Sequence, residues 1–258
     1  MSELPLGTRR VLVTGGGSGI GQAVARVLLA RGGRVVVLGR RRERLEALAH
    51  AFPGRAEVLV ADLAEGTQGI LARAKALLGG LDGLVCAAGV AHHEAPGAIS
   101  EAALREQLEV NLVAPLRLGE QALQVLEPGG GVVFVASNLA HRPIETSAVY
   151  SASKAGLLAA MRALALAGLS RGIRMNAISP GIVDTEMIRK PRRKKDEPPL
   201  TEEETARRVA AQLEALRAEV PLGRLGEPAE IAEAVVHLLG ASWVSGSDWL
   251  LDGGGLLA

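Results

Sequence analysis

Six short, nearly unbroken apolar runs, each followed by a longer amphipathic stretch, constrain this chain more than any other feature. They occupy residues 10–14, 34–38, 56–61, 83–87, 131–137 and 173–178, and a seventh, shorter run covers 249–251. A strand with one wet face alternates apolar and polar residues, whereas a strand covered on both faces does not, so the pattern predicts a parallel sheet sandwiched by crossover helices. The fold class expected is α/β: a single-domain Rossmann fold, doubly wound, with a seven-stranded parallel sheet and helices on both faces. Helix signals agree. Asp62 with Glu65 and Thr201 with Glu204 have capping-box spacing, and Pro228 suits the first turn of a helix running towards Leu239. No fixed-period repeat and no long Gly/Ser linker divides the 258 residues, so one domain is expected over 1–258. Residues 189–200 break the rhythm with six basic residues, an Asp-Glu pair and three prolines. That stretch reads as a surface loop or as part of a substrate lid near 184–220.

Composition removes several function classes. With 48% hydrophobic residues the chain can bury a full core, and 29 basic against 28 acidic residues leave no global field to attract nucleic acid or an anionic membrane. The five aromatic residues, Phe52, Phe134, Tyr150, Trp243 and Trp249, are too few to build stacking platforms for single-stranded nucleic acid. One cysteine, Cys86, and five scattered histidines supply neither an internal disulfide nor a zinc cluster, so no metal is expected and a reducing cytoplasm is the natural location. Residues 1–10 lack an apolar leader core, and no uninterrupted apolar run approaches the roughly 20 residues that span a bilayer. No membrane and no nucleic acid partner is expected.

The segment Thr14-Gly15-Gly16-Gly17-Ser18-Gly19-Ile20-Gly21 follows the first strand and opens a helix over 22–30. Backbone N–H groups reach a pyrophosphate only where no Cβ intervenes, and the helix start supplies partial positive charge, so this turn predicts a dinucleotide cradle. Nineteen residues past Gly21 the second strand ends in Gly39-Arg40-Arg41-Arg42. A carboxylate there would favour NAD, while guanidinium favours a ribose 2'-phosphate; NADP(H) is therefore preferred, with Arg40 gripping the phosphate, Arg41 or Arg42 assisting, and NAD(H) as the second option. The alternative is that these arginines only decorate the next helix. Asp62 and Leu63, after the third strand, are placed to reach the adenine, a role compatible with Asp62 capping a helix.

Tyr150, the only tyrosine, stands four residues before Lys154. On a helix that spacing sets phenol and ammonium on one face, and the positive charge is expected to lower the phenol pKa from its usual value near 10. Tyr150 then becomes a usable acid/base. Ser137 ends the fifth apolar run at the carboxyl edge of the sheet, where its hydroxyl could donate to a carbonyl oxygen or simply begin a loop. Asn111 lies within a helical pattern that disfavours Asn without a local bond, so it either bends the helix or binds water.

Together these segments resemble the short-chain dehydrogenase/reductase family over essentially the whole chain. The matching residues are the Gly-rich turn, Asp62, Ala88-Gly89, Asn111, Ser137, Tyr150 through Lys154, Asn176, Pro180-Gly181, Thr185 and Asp252-Gly253-Gly254. The resemblance implies Tyr150 as proton donor and acceptor, Ser137 as polariser of the substrate oxygen, and Asn111 as holder of a relay water. Lys154 would bond the nicotinamide ribose. Cofactor contacts are implied at Gly15, Ser18, Gly19, Ile20, Gly21, Arg40, Asp62, Leu63, Ala88, Gly89, Tyr150 and Lys154, with Pro180, Gly181, Ile182 and Thr185 bordering the nicotinamide. Two departures stand out: Ala87 replaces an asparagine that commonly braces the neighbouring strand, and Ser18 stands where NADP-preferring relatives often carry a basic residue.

The implied activity is interconversion of a carbonyl and a secondary alcohol by NADP-dependent hydride transfer on a small-molecule substrate. A pocket wall of His92, His93, His141, Arg142, Ile144, Val183, Met187 and Ile188 mixes apolar and cationic groups, which favours an acidic or phosphorylated handle. A 3-oxoacyl thioester reductase leads, with the basic run at 189–195 gripping a carrier phosphate. A sugar or polyol dehydrogenase and a non-catalytic NADP-binding regulator are the alternatives. The apolar helix over 149–169 and the tail at 252–258 suggest a homotetramer.

Overall fold

The computed structural model describes residues 9–191 and 200–258. Seven strands, β1 (Arg10–Thr14), β2 (Arg34–Gly39), β3 (Ala56–Val60), β4 (Gly83–Cys86), β5 (Gly131–Val135), β6 (Arg174–Pro180) and β7 (Asp248–Leu251), form one parallel sheet in the order β3-β2-β1-β4-β5-β6-β7. The helices are α1 (Gly19–Ala30), α2 (Arg42–Ala51), α3 (Ile70–Leu78), α4 (Glu101–Leu108), α5 (Ala114–Val125), α6 (Ala148–Gly168), α7 (Glu202–Ala218) and α8 (Pro228–Gly240).

Alternate residues of each strand serve opposite layers, which explains the unbroken apolar runs. Leu12, Val36, Leu84, Phe134 and Ala177 face a core shared with Leu71, Leu118 and Met161 of α3, α5 and α6. Their neighbours Val13, Val37, Val85, Val133 and Ile178 face a second core with Leu28, Leu45 and Val236 of α1, α2 and α8. The inner strands are thus dry on both sides, whereas the edge strands β3 and β7 are partly exposed, and the seven predicted strands appear with shifts of at most two residues at their ends. The helical stretch Glu145–Arg171 is long and apolar enough to cross a membrane by length and composition alone. Here its Leu157, Leu158 and Met161 lie in the core against the sheet, as a central helix of a globular domain would place them.

Capping follows local chemistry. Thr201 and Glu204 form the expected box at the start of α7, with Thr201 Oγ1 accepting from the Glu204 N–H at 3.2 Å and Glu204 Oε2 accepting from the Thr201 N–H at 2.8 Å. Pro228 opens α8. The expected box at Asp62 and Glu65 does not form. Asp62 Oδ1 accepts from Ala64 N–H at 3.0 Å and closes a turn instead, and α3 begins only at Ile70 behind Gly69, a left-handed residue with no side-chain cap. Asp62 bonds its own backbone two residues on, which competes with helix initiation.

Two polar ties close the sheet. Arg10 forks Asp82 through Nε at 2.9 Å and Nη2 at 2.7 Å, joining the foot of β1 to the turn before β4. Burial pushes the Asp82 carboxyl up, but the Arg10 hydrogen bonds outweigh it and hold the group below its ordinary value. Asn176, fully buried in β6, donates from Nδ2 to the Val244 carbonyl at 2.8 Å and accepts from Ser247 N–H at 3.1 Å. It thereby positions the four-residue edge strand β7. Asn176→Ala leaves two backbone groups without these partners and is expected to cost about 1–3 kcal/mol, read as a lower urea midpoint at unchanged slope. An unaltered midpoint would refute this bracing role.

Candidate active site

The sheet order reverses between β1 and β4, so the loops leaving their carboxyl ends diverge and open a crevice. The Gly-rich turn forms its floor. Gly15 has φ +69°, and a Cβ there would lie 2.9 Å from the Ala88 backbone. Gly21 sits beneath the loop, where a Cβ would come 2.5 Å from the Gly15 carbonyl oxygen. Ser18 stands at the N-cap of α1 without capping it; its Oγ instead accepts from Arg41 Nη2 at 2.9 Å. The first turn of α1 also lacks an acidic residue, so its amides and positive dipole end face the crevice, as an anion requires. Thr14 Oγ1 accepts from both Ala87 and Ala88 N–H at 3.1 Å. This side chain braces the two diverging loops across Ala87, where no amide side chain is available.

The crevice opens into a cleft of about 940 Å³. Gly15, Ser18, Gly19, Ile20, Ala88, Gly89, Ser137, Tyr150, Lys154, Pro180, Gly181, Ile182 and Thr185 all line it. Five expected contacts are not part of this wall. Gly21 packs under the turn. Leu63 is buried in the core. Asn111 is fully buried behind the loop. Arg40 and Asp62, expected to serve different parts of a nucleotide, face each other at 3.6 Å. Of the expected substrate wall, His141 turns away to Asp248 at 2.7 Å, while the other seven residues line the cleft.

The central group is tightly organised. Lys154 is buried on α6, donates to the Val135 carbonyl at 2.8 Å, and its Nζ lies 5.8 Å from the Tyr150 ring centroid. Asn111 belongs to a one-turn π-helical segment, Glu109–Val113, between α4 and α5. Its Oδ1 accepts from Val90 N–H at 2.9 Å, and its Nδ2 donates to the Val90 carbonyl at 2.8 Å and to Ser153 Oγ at 3.3 Å. Ser153 in turn donates to the Tyr150 carbonyl at 2.6 Å. Asn111 therefore clamps the loop after β4 onto the helix that carries Tyr150 and Lys154. Ser137 Oγ accepts from Leu139 N–H at 3.2 Å and makes a long 3.4 Å contact with Asn138 Oδ1, so its hydroxyl can turn to a better acceptor.

Electrostatics correct one expectation. Tyr150 is half-buried, and withdrawal of water from its phenolate raises its pKa, with the Ser137 hydrogen bond acting in the opposite direction. In the protein alone the lysine does not bring the phenol towards neutrality. Burial lowers Lys154 itself to about 8. Cys86, beside it, is pushed up to about 12 by burial and stays a neutral thiol.

Residues given no place in the site by the sequence also line the cleft. Asp252, Gly255 and Leu256 of the tail reach it from the same chain, with Asp252 accepting from Gly254 N–H at 3.0 Å and Leu256 N–H at 2.8 Å. Glu186 lines it as well. The Asp-Gly-Gly motif was a visible signal for the first; Glu186 had none. Of the basic run, Arg189 is committed to Asp184 at 2.6 Å and Lys190 lines the cleft. Arg192, Arg193, Lys194 and Lys195 lie outside the described residues.

Residues 15–255 match a family model described as Enoyl-(Acyl carrier protein) reductase. The chain is 34% identical over 256 residues to cis-4-hydroxycyclohexanecarboxylate dehydrogenase of Sinomonas cyclohexanicum, covering 95% of this chain and 96% of that protein. It is 32% identical over 246 residues to the human 3-oxoacyl-[acyl-carrier-protein] reductase, covering 94% and 95%. A short-chain dehydrogenase from Burkholderia cenocepacia J2315, solved in complex with NADP, superposes with a TM-score of 0.85 at 29% identity, covering 98% of this chain and all of that one.

The buried ammonium has a cost that can be measured. Lys154 titrates at 10.5 when unfolded and about 8 when folded, so the folded state binds fewer protons between those values and stability rises with pH across that window. Below pH 8 the cost is fully present, on the order of 3 kcal/mol. Lys154→Met is expected to raise the thermal midpoint at pH 7 and to flatten the gain between pH 8 and 10.5. A variant that melts lower with the same pH dependence would contradict the assignment.

Proposed function

The chain belongs to the short-chain dehydrogenase/reductase family and is an NAD(P)-dependent oxidoreductase; from that premise we propose that it reduces the ketone of a 3-oxoacyl thioester to a secondary alcohol with NADPH. The observation that carries the reading is the convergence of Ser137, Tyr150 and Lys154 on one cleft with the uncapped start of α1. The Gly15 cradle, the amides of Gly19 to Gly21 and the Arg40–Arg41 corner fit a phosphorylated dinucleotide, in keeping with the NADP held by the Burkholderia relative. When bound, the reduced nicotinamide supplies hydride.

The protein's part is alignment and proton management. Ser137 Oγ–H donates to the substrate oxygen as negative charge develops there, and Tyr150 Oη–H delivers the proton. Lys154 holds the cofactor ribose and offsets the phenolate left on Tyr150. Asn111 fixes the backbone through which a water returns that proton. Ile144, Met187 and Ile188 supply an apolar channel for an acyl chain, and Lys190 stands at its rim. A homotetramer belongs to the same reading, since Leu166 of α6 is 73% exposed and Leu169, just past the helix end, 57%, apolar area that a partner copy would cover.

The test is a panel of 3-oxoacyl thioesters, cyclic keto-carboxylates and sugars, followed by nicotinamide absorbance with each cofactor. The highest kcat/KM is expected for a 3-oxoacyl thioester with NADPH; a panel in which only a sugar or polyol reacts overturns the substrate. Tyr150→Phe is expected to lower kcat by about a hundredfold or more while NADPH binding holds. Full turnover in that variant would remove Tyr150 from the mechanism. Arg40→Asp should move preference towards NADH, and an unmoved ratio of kcat/KM values would discredit Arg40 as the 2'-phosphate ligand.

A further inference from the structure

Four arginines crowd the end of β2, and they are not equivalent. Arg42 pairs with Glu46 one turn on in α2 at 3.1 Å, and Arg40 faces Asp62 at 3.6 Å. Arg41 and Arg44 converge instead on a single carboxylate, that of Glu186, which comes from the opposite wall of the cleft. Glu186 Oε2 accepts from Arg41 Nη1 at 2.9 Å, and Oε1 accepts from Arg44 Nη1. Arg41 also holds Ser18 Oγ in the Gly-rich turn. The walls are close here, because a Cβ built on Gly19 would lie 3.3 Å from Thr185 Cγ2, one residue before Glu186.

We propose that Glu186 is a specificity-determining residue for the dinucleotide, an internal anion that competes with the ribose 2'-phosphate for Arg41 and Arg44. This inference rests on the NADPH reading of the same cleft. A carboxylate and a phosphate monoester present similar oxygen pairs to a guanidinium fork, so the groups that hold Glu186 are suited to the phosphate. The phosphate carries nearly two charges at neutral pH against one for the carboxylate. The Glu186 pairs are also about half-exposed, and such pairs are weak. The phosphate therefore displaces Glu186 rather than being excluded. The displacement still subtracts from NADPH affinity, and NADH, lacking the phosphate, is indifferent to it. Glu186 thus holds the preference for NADPH below what the arginine cluster alone would give.

Equilibrium titrations of NADPH and NADH by nicotinamide fluorescence, at low ionic strength, test this on the intact protein. Glu186→Gln is expected to tighten NADPH by about three- to tenfold and to leave NADH within about twofold. Adding Arg41→Ala to Glu186→Gln should cancel most of that gain, because the freed guanidinium is what the phosphate would use. Unchanged or weaker NADPH binding in Glu186→Gln overturns the proposal, and so does an equal tightening of both dinucleotides, which would make Glu186 a bar to the whole cofactor. If the unaltered protein binds neither nucleotide, the NADPH reading falls and takes this inference with it. Binding of NADPH that ignores Glu186 removes this inference alone.

Discussion

Everything at the carboxyl edge of the sheet depends on how closely the turn after β1 can approach the loop after β4. Parallel strands require crossovers, and the reversal of strand order sends the β1 and β4 crossovers to opposite faces. A gap must open between them. Its width is set by Gly15, whose missing side chain lets the turn lie against Ala88, and by Thr14, whose one oxygen receives two amides from the facing loop. With any larger residue at Gly15 the floor would rise and the helix start of α1 would be screened from a ligand.

The catalytic side of the cleft follows from a different economy. Asn111 and Ser153 bind the loop after β4 to α6, so the helix that presents Tyr150 and Lys154 is fixed relative to the dinucleotide floor. That rigidity buries an ammonium beside a neutral thiol, where burial lowers its proton affinity. Burial thus weakens both partners at once, holding the Tyr150 phenol above its ordinary value and the Lys154 ammonium below its own.

At the outer end the cleft is governed by surface charge rather than burial. Arg40, Arg41 and Arg44 each have a carboxylate within reach, from Asp62 in one case and Glu186 in the others. Folding thus brings carboxylates from distant parts of the chain against this basic corner and largely neutralises it.

The apolar runs determined the sheet, because strands covered on both faces call for helices on each side, as in a parallel layer, and the Gly-rich turn determined where the start of α1 meets the cleft. The Tyr150–Lys154 spacing likewise determined a shared helix face, since 3.6 residues per turn is a local property. Where the reading failed, the deciding partner was distant in sequence or the local competition was close: Asp62 closed its own turn instead of capping a helix, and His141 was drawn to Asp248, 107 residues away. The pKa of Tyr150 moved against expectation because desolvation depends on everything packed around a group, and spacing along one helix reports only one neighbour. Glu186 reached Arg41 across 145 positions. Periodicity and turn chemistry are written in neighbouring residues; burial and long-range ion pairing exist only once the chain has folded back on itself.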